Sequence, residues 1–358
     1  MPDQIPEQIA SMAALAPKAD VQDYKYPPKP LAKRDADIRV TYTGVCATDL
    51  HMIDDDWGLS RYPLVPGHEV VGHVIAVGSS VENLSVGDVV GLGAQAQACG
   101  ECEYCKGGID NFCPNRKFTY FENTVDETGE HVHHGGFSSY LRTDSRFLFK
   151  IPAGYHEKYV GPLMCGGLTV AAPLYEYAGQ KWDLKGRRVG IVGIGGLGHM
   201  AIQFAAKMGA ETFAISRSAN KMSFCKELGA DGFINSSDSE EMAAHAGKFH
   251  YLLFCISGGD IDINHYTALM RPYGTLHFVG IPDKMENFSL MPLLFSRLTL
   301  SSSLIGSSNQ MHAMLTFAAK NNIKPIIEEF THKTANKAIQ KIREGTIRFR
   351  AVLKNDLI

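Results

Sequence analysis

Residues 193–198 read Gly-Ile-Gly-Gly-Leu-Gly, behind a β-prone run at 188–192 and ahead of a helical run at 199–208. Few stretches this short narrow the choice of fold so far. The spacing G-x-G-x-x-G is weak alone, but between a strand and a helix it is the fingerprint of a dinucleotide site. Gly193 permits the tight turn, and Gly195 lets backbone approach a pyrophosphate at the helix N-terminus. Gly196 and Leu197 complete the loop, and Gly198 lets helix and strand pack closely. Beyond it, β-runs at 212–216, 232–234, 251–256, 274–279 and 298–303 follow, with a helical run at 221–228. Alternation of this kind predicts a parallel, doubly wound sheet.

At 358 residues the chain exceeds what one core usually serves, about 250–300 residues, so two domains are expected. The first half has a different rhythm. Short β-runs at 37–43, 69–77, 89–92, 138–141 and 147–151, separated by glycine turns, predict a small β-rich domain. A short helix is expected at 11–15, and polar loop at 118–136. Helices at 311–321 and 334–344 and a closing strand at 348–353 are assigned back to the first domain. The boundaries read as 1–160 completed by 305–358, and 161–304 for the coenzyme.

Two stretches of the first half carry chemistry. In one, Cys99, Cys102, Cys105 and Cys113 fall within fifteen residues. In a reducing compartment this reads as one tetrahedral Zn²⁺ with no open position, hence a structural site, with Gly100, Gly107 and Gly108 supplying turns. In the other, residues 44–51 (GVCATDLH) put a thiol, a hydroxyl, a carboxylate and an imidazole close together, and Gly67-His68-Glu69 comes soon after. A catalytic zinc wants three protein ligands and an open position. Cys46 and His68 are two candidates. Cys225 and Cys255 read as small buried hydrophobes, whereas Cys165, beside Gly166-Gly167 at the passage from first to second domain, is placed for the cleft.

The strand at 212–216 should end on the residue that reads the adenosine ribose. An acid there favours NAD. This chain has Ser216-Arg217-Ser218 with Lys221 one turn on, so NADP(H) is predicted. The competing reading makes Arg217 and Lys221 a solvated helix start.

With GVCATDLH, PGHE, the four-cysteine lobe, HGGFSSYL, CGGLTV, GIGGLGHMAIQFAAKMGA, SRSANK and SLIGS in this order, the chain resembles the zinc-dependent medium-chain dehydrogenases, and within them the cinnamyl alcohol dehydrogenase group, from about residue 40 onward. The resemblance implies a GroES-like β-rich catalytic domain joined to a Rossmann domain. It implies that Cys46, His68 and Cys165 bind a catalytic zinc, so two Zn²⁺ per chain with the lobe. Glu69 is implied as a nearby carboxylate that can swing in as a fourth ligand, and Asp49 as the group orienting His68. Thr48 would accept the alcohol's proton and His51 would pass it on. Thr169, Gly280 and Gly306 would line the coenzyme; Trp57, Leu59 and Phe118 would line the alcohol pocket. Where the group often has His, this chain has Ala47, which removes a polar contact to the coenzyme phosphates and leaves zinc ligation intact. The apolar edge at 298–305 would pair with its counterpart in a homodimer.

The expected activity is hydride transfer between NADP(H) and primary, aromatic or allylic alcohols and aldehydes. A polyol or sugar dehydrogenase of the same superfamily, or a silent NADPH-binding protein, are the alternatives. Trp57 and Phe118 argue against the first, and the intact ligand set against the second. His73, His199 and His277 read as core histidines; His131, His133 and His134 fall in a polar loop. A net charge of -3 without basic runs gives no case for nucleic acid. No apolar run reaches the roughly 20 residues of a membrane span, and the first thirty residues hold no signal-peptide core. A cytoplasmic enzyme is expected.

Overall fold

The computed structural model describes residues 4–286 and 289–358. They form two compact units: 1–165 with 307–319 and 325–358, and 166–306 with 320–324.

The first unit is built on a seven-stranded sheet. Its path runs Leu148–Lys150, Val89–Leu92, Glu69–Val77, Asp35–Val45, Arg350–Lys354, Ile327–Thr331, with Tyr140–Asp144 also on Asp35–Val45. Asp35–Val45 is buried along most of its length, and neighbours pair on both sides. Its register brings chemistry to one place. Gly44 faces Glu69 on one side and Val352 on the other, so one end of the sheet collects Cys46, Glu69 and Arg350. One apolar cluster, with Ile38, Val70, Val74, Leu92 and Leu148, packs beneath the cysteine lobe; another, with Ile9, Met52, Ile53, Leu64 and Phe137, packs around the helix Ala47–Asp54. Fully burying one such side chain contributes about 1.5–3 kcal/mol.

Two expectations fail here. Residues 11–15 do not start a helix. The chain forms the strand Ile9–Ala13, paired antiparallel with Gln22–Tyr26, and Met12 N–H donates to Phe137 O at 2.8 Å. Non-local pairing overrides the local propensity. Nor is 118–136 all loop: Lys117–Phe118 pairs with Gln95–Gln97, and Asn123–Asp126 with Gly129–Val132. Asp126 closes that hairpin by accepting from Thr128 N at 2.7 Å, and Gly129 takes φ 124°. A turn made by Asp and Thr lacks the Asn-Gly signal that marks hairpins in sequence.

The second unit holds a six-stranded parallel sheet: Gly232–Asn235, Glu211–Ser216, Arg188–Val192, Phe249–Phe254, Met270–Phe278, Thr299–Ser302. Numbered along the chain, the order is 3-2-1-4-5-6, the dinucleotide-binding arrangement. No helix among the described residues is long and apolar enough to cross a membrane.

Candidate active site

Cys46 directly follows the central strand and caps the helix Ala47–Asp54. Asp49, one turn in, accepts from Cys46 N at 2.8 Å, so the thiol's position is set by a helix start. The second Asp49 oxygen accepts from Gly67 N at 3.0 Å and lies 3.0 Å from His68 Nδ1. That leaves His68 Nε2 facing inward, 3.2 Å from Cys165 Sγ. Cys165 arrives on a π-helical turn, Leu163–Gly167, that precedes the helix Leu168–Tyr177; such turns recur at functional sites. Gly161 allows the approach of that segment, since a Cβ there would meet Glu69 O at 2.9 Å.

Ligand atoms of Cys46, His68, Glu69 and Cys165 all lie within 4.8 Å of one another. Glu69 is fully buried. One carboxylate oxygen is held by Arg350, and the other, Oε2, has no hydrogen-bond partner. A buried carboxylate oxygen left unpaired is costly unless a cation completes it. Two thiols, an imidazole and this oxygen are a donor set suited to zinc. Gly44 makes room for it: a Cβ there would sit 1.9 Å from Glu69 Oε2. The electrostatics agree. A hydrogen bond from Cys165 holds the Cys46 thiol well below the ordinary range, with His68 and Arg350 adding to the effect. The same bond, with burial, holds Cys165 well above it. Burial pushes Glu69 up to about 7, against the pull of Arg350.

Thr48 Oγ1 lies 3.7 Å from Cys46 Sγ. His51, three residues on, is half-exposed, with Nδ1 2.8 Å from Asp56 Oδ2 and its ring stacked on Trp57 at 4.9 Å. Trp57 and Leu59 are exposed, at 45 % and 55 %. Phe118 is half-buried and stacks on Phe121 at 5.2 Å. Ala47 is exposed at the helix start.

The four-cysteine lobe brings its sulfurs within 4.8 Å. Backbone N–H groups of Gly100, Cys102 and Cys99 point at Cys105, Cys99 and Cys113 sulfurs at 3.3–3.5 Å. The amides of Glu101 and Cys102 lower the Cys99 thiol to about 6. Gly100 and Gly108 adopt left-handed φ of 80° and 73°, as wrapping requires; Gly107 does not, with φ -78°. The thiolate set fits a structural zinc. No third metal-binding group occurs among the described residues. His133 bonds Thr143, His134 packs on Tyr26, and His131 bonds Thr128. His73, His199 and His277 each have partners: Glu157, Gly195 O, and Ser301 with Ser303.

In the second unit the three glycines of the motif differ as their roles demand. Gly193 has φ 90°. A Cβ on Gly195 would meet nothing within 4 Å, leaving backbone open to a ligand, whereas one on Gly198 would strike Gly193 O at 2.0 Å. Gly196 and Leu197, half-buried, lead into the helix Gly198–Lys207. Gly280 packs tightly too, its virtual Cβ 2.0 Å from Ile256 O. Ser216 ends its strand, Arg217 is exposed, and Ser218 caps the turn Ala219–Lys221. Lys221 donates to Ile194 O at 2.7 Å and so braces the glycine loop, a bond that nothing in the sequence suggests. Thr169 and Gly306 are both buried.

Three residues near the ligands escape sequence reasoning: Arg350, Asp56 and Tyr120. Arg350 sits in an ordinary-looking strand, and only the sheet register sets it beside Glu69. Asp56 is one acid in a run of three. Tyr120 lies in a stretch that reads as loop.

Residues 32–153 match the family described as alcohol dehydrogenase GroES-like domain, and residues 196–320 the family described as zinc-binding dehydrogenase. An aldehyde reductase of Synechocystis sp. is 38% identical over 97% of this chain and 99% of its own. A cinnamyl alcohol dehydrogenase of Sorghum bicolor superposes with TM-score 0.89 at 33% identity, covering 98% of each chain. A cinnamyl alcohol dehydrogenase of Helicobacter pylori complexed with NADP(H) does so with TM-score 0.86 at 27% identity, covering 97% of this chain and 98% of that one. Matches that run the full length of both units, at this identity, place the chain in the zinc-type medium-chain alcohol dehydrogenase family, an α/β oxidoreductase family that includes the cinnamyl alcohol dehydrogenases.

Proposed function

We propose that this protein is an NADP(H)-dependent zinc oxidoreductase interconverting primary alcohols and aldehydes, of aromatic or allylic type, on small molecules. The observation that carries the reading is the gathering of Cys46, His68, Cys165 and the unpartnered Glu69 oxygen within 4.8 Å, beside a separate four-thiol lobe. The first unit, to which Cys165 belongs, carries the metals, and the second, with Gly306, carries the coenzyme. When bound, zinc at Cys46, His68 and Cys165 supplies Lewis acidity toward a carbonyl or alcohol oxygen, and NADPH supplies the hydride.

The chain's own residues do the rest. Cys46 and His68 hold the centre from a helix start and a strand start. Glu69 would offer its free Oε2 as a further ligand while Arg350 holds its Oε1. Thr48 Oγ1, beside Cys46, gives the product alcohol its proton and takes it back in oxidation. His51, with Asp56 fixing one ring nitrogen, restores that proton from solvent. Arg217, at the end of the second Rossmann strand and with no acid beside it, favours a 2′-phosphate; Lys221 contributes from the loop it braces. Exposed Leu290, Met291, Leu294 and Phe295 flank the edge strand Thr299–Ser302 and support a homodimer through that edge.

The test is metal analysis beside a substrate panel. Two zincs per chain, and faster reduction of cinnamaldehyde- and benzaldehyde-type substrates with NADPH than with NADH, are expected. Equal or better turnover with NADH overturns the coenzyme assignment; activity confined to polyols overturns the substrate class. A monomer mass by light scattering at micromolar concentration removes the dimer.

A further inference from the structure

The Asp49 carboxylate has no solvent exposure and four donors around it. Three are the Cys46 and Gly67 amides and His68 Nδ1. The fourth is the Tyr120 hydroxyl, 3.4 Å from His68 Nδ1, the same nitrogen that lies 3.0 Å from Asp49 Oδ1. With Nε2 turned to the metal ligands, Nδ1 carries its proton toward Asp49. The phenol therefore finds no lone pair on Nδ1 to bond, and its own proton goes to the carboxylate. The backbone holds Tyr120 in this place. It is left-handed, φ 64°, an unusual state for an aromatic residue. Thr119 on one side is pinned by N–H to Ala94 O and Oγ1 to Gly93 O, both at 2.8 Å. On the other, Phe121 meets the Tyr120 ring edge-on at 5.8 Å and stacks on Phe118.

We propose that Tyr120 is a positioning residue of the metal centre: by donating to Asp49 it fixes the carboxylate that selects the tautomer and ring angle of His68. Partners one step behind a metal ligand set both its orientation and its basicity. Without the phenol proton, Asp49 loses a donor, rotates, and competes for the His68 proton. The aromatic run Tyr120–Phe121–Phe118 then ties that shell to a candidate pocket wall.

The inference rests on the metal assignment proposed for Cys46, His68 and Cys165. The holoenzyme and its Tyr120→Phe variant, which keeps the ring, are compared by zinc release to a chromophoric chelator, by the visible spectrum after cobalt replacement, and by kinetics. One of the two zincs should leave about 10–100-fold faster, with the other unchanged. The cobalt bands should shift, and kcat should fall without change in the coenzyme KM. Release within two-fold of wild type, from a wild type that holds two zincs, overturns the role of Tyr120. A wild type holding zinc only in the lobe overturns the underlying metal assignment instead. Faster loss of both zincs together, with a lower Tm, makes Tyr120 merely structural and also overturns it. Adding Tyr120→Phe to Asp49→Asn should do little more than Asp49→Asn alone; independent, multiplying effects are incompatible with action through Asp49.

Discussion

The lobe of Cys99 to Cys113 and the cluster around Cys46 use the same element chemistry in opposite ways. The lobe draws four like donors from one short run of chain, and its sulfurs are organised by neighbouring backbone amides. The other cluster draws unlike donors from distant places, with His68 and Cys165 97 residues apart, and organises them through a buried shell of Asp49, Tyr120 and Arg350. The lobe is saturated by its own thiols. The Cys46 cluster has a carboxylate oxygen in reserve, with Arg350 holding the other oxygen of that carboxylate. A closed set stabilises a fold, and a set with an exchangeable member can admit a substrate oxygen.

The largest effect should come from setting one cysteine of each site against the other. Cys46→Ser is expected to lower kcat/KM by about 10³-fold, since several kcal/mol of charge stabilisation is at stake. It should lose one zinc and keep its Tm. Cys105→Ser should lose the other zinc, lower Tm by on the order of 5–10 °C, and leave the activity of the folded fraction within about two-fold. Calorimetry, metal content and kinetics on both variants check this. The contrast collapses if the two variants show the same profile.

Gly44→Ala asks whether the reserve carboxylate needs its place. The added Cβ cannot share space with Glu69 Oε2, so Glu69 must turn and leave Arg350. Crowding of this kind costs about 1–3 kcal/mol, read by denaturant unfolding. The lobe's metal should be retained. Wild-type stability and activity in this variant would show that the carboxylate has no fixed seat.

The smallest effect lies outside both clusters and separates acid damage to the core from acid loss of metal. His133 is buried and bonded to Thr143, and burial lowers its pKa to about 3. Unfolded, it titrates near 6.5. Below that pH the unfolded chain takes a proton the native chain refuses. Stability should therefore be full above pH 6.5 and decline as pH falls toward 3, by at most about 1.4 kcal/mol per pH unit. Unfolding at pH 7.5 and 5.5 should show a smaller drop in His133→Gln than in wild type; equal drops would assign the acid sensitivity elsewhere.

How much of the molecule is legible in its sequence depends on the range over which each feature is encoded. The lobe and the glycine loop are local, so the spacing of the one, and the spacing of the other between a strand and a helix, announce them. Cys46 and His68 can be nominated from residue type, but Cys165 is reached only through its position between domains and through family resemblance. Arg350 is not legible at all: a basic residue in a short strand carries no sign that its guanidinium is buried against Glu69. The strand Ile9–Ala13 misleads local reasoning because its partners, Gln22–Tyr26 and Phe137, lie elsewhere in the chain.

The amino-acid sequence by itself determined the class of fold, the dinucleotide loop and the thiol lobe, because each follows from contacts between near neighbours. Only the tertiary structure decided what surrounds the second cluster. The registers Gly44–Glu69 and Val45–Ala351 bring one end of three strands together, and burial there makes a carboxylate and a guanidinium depend on each other. Register is a property of a whole sheet, and so is the pairing that it enforces.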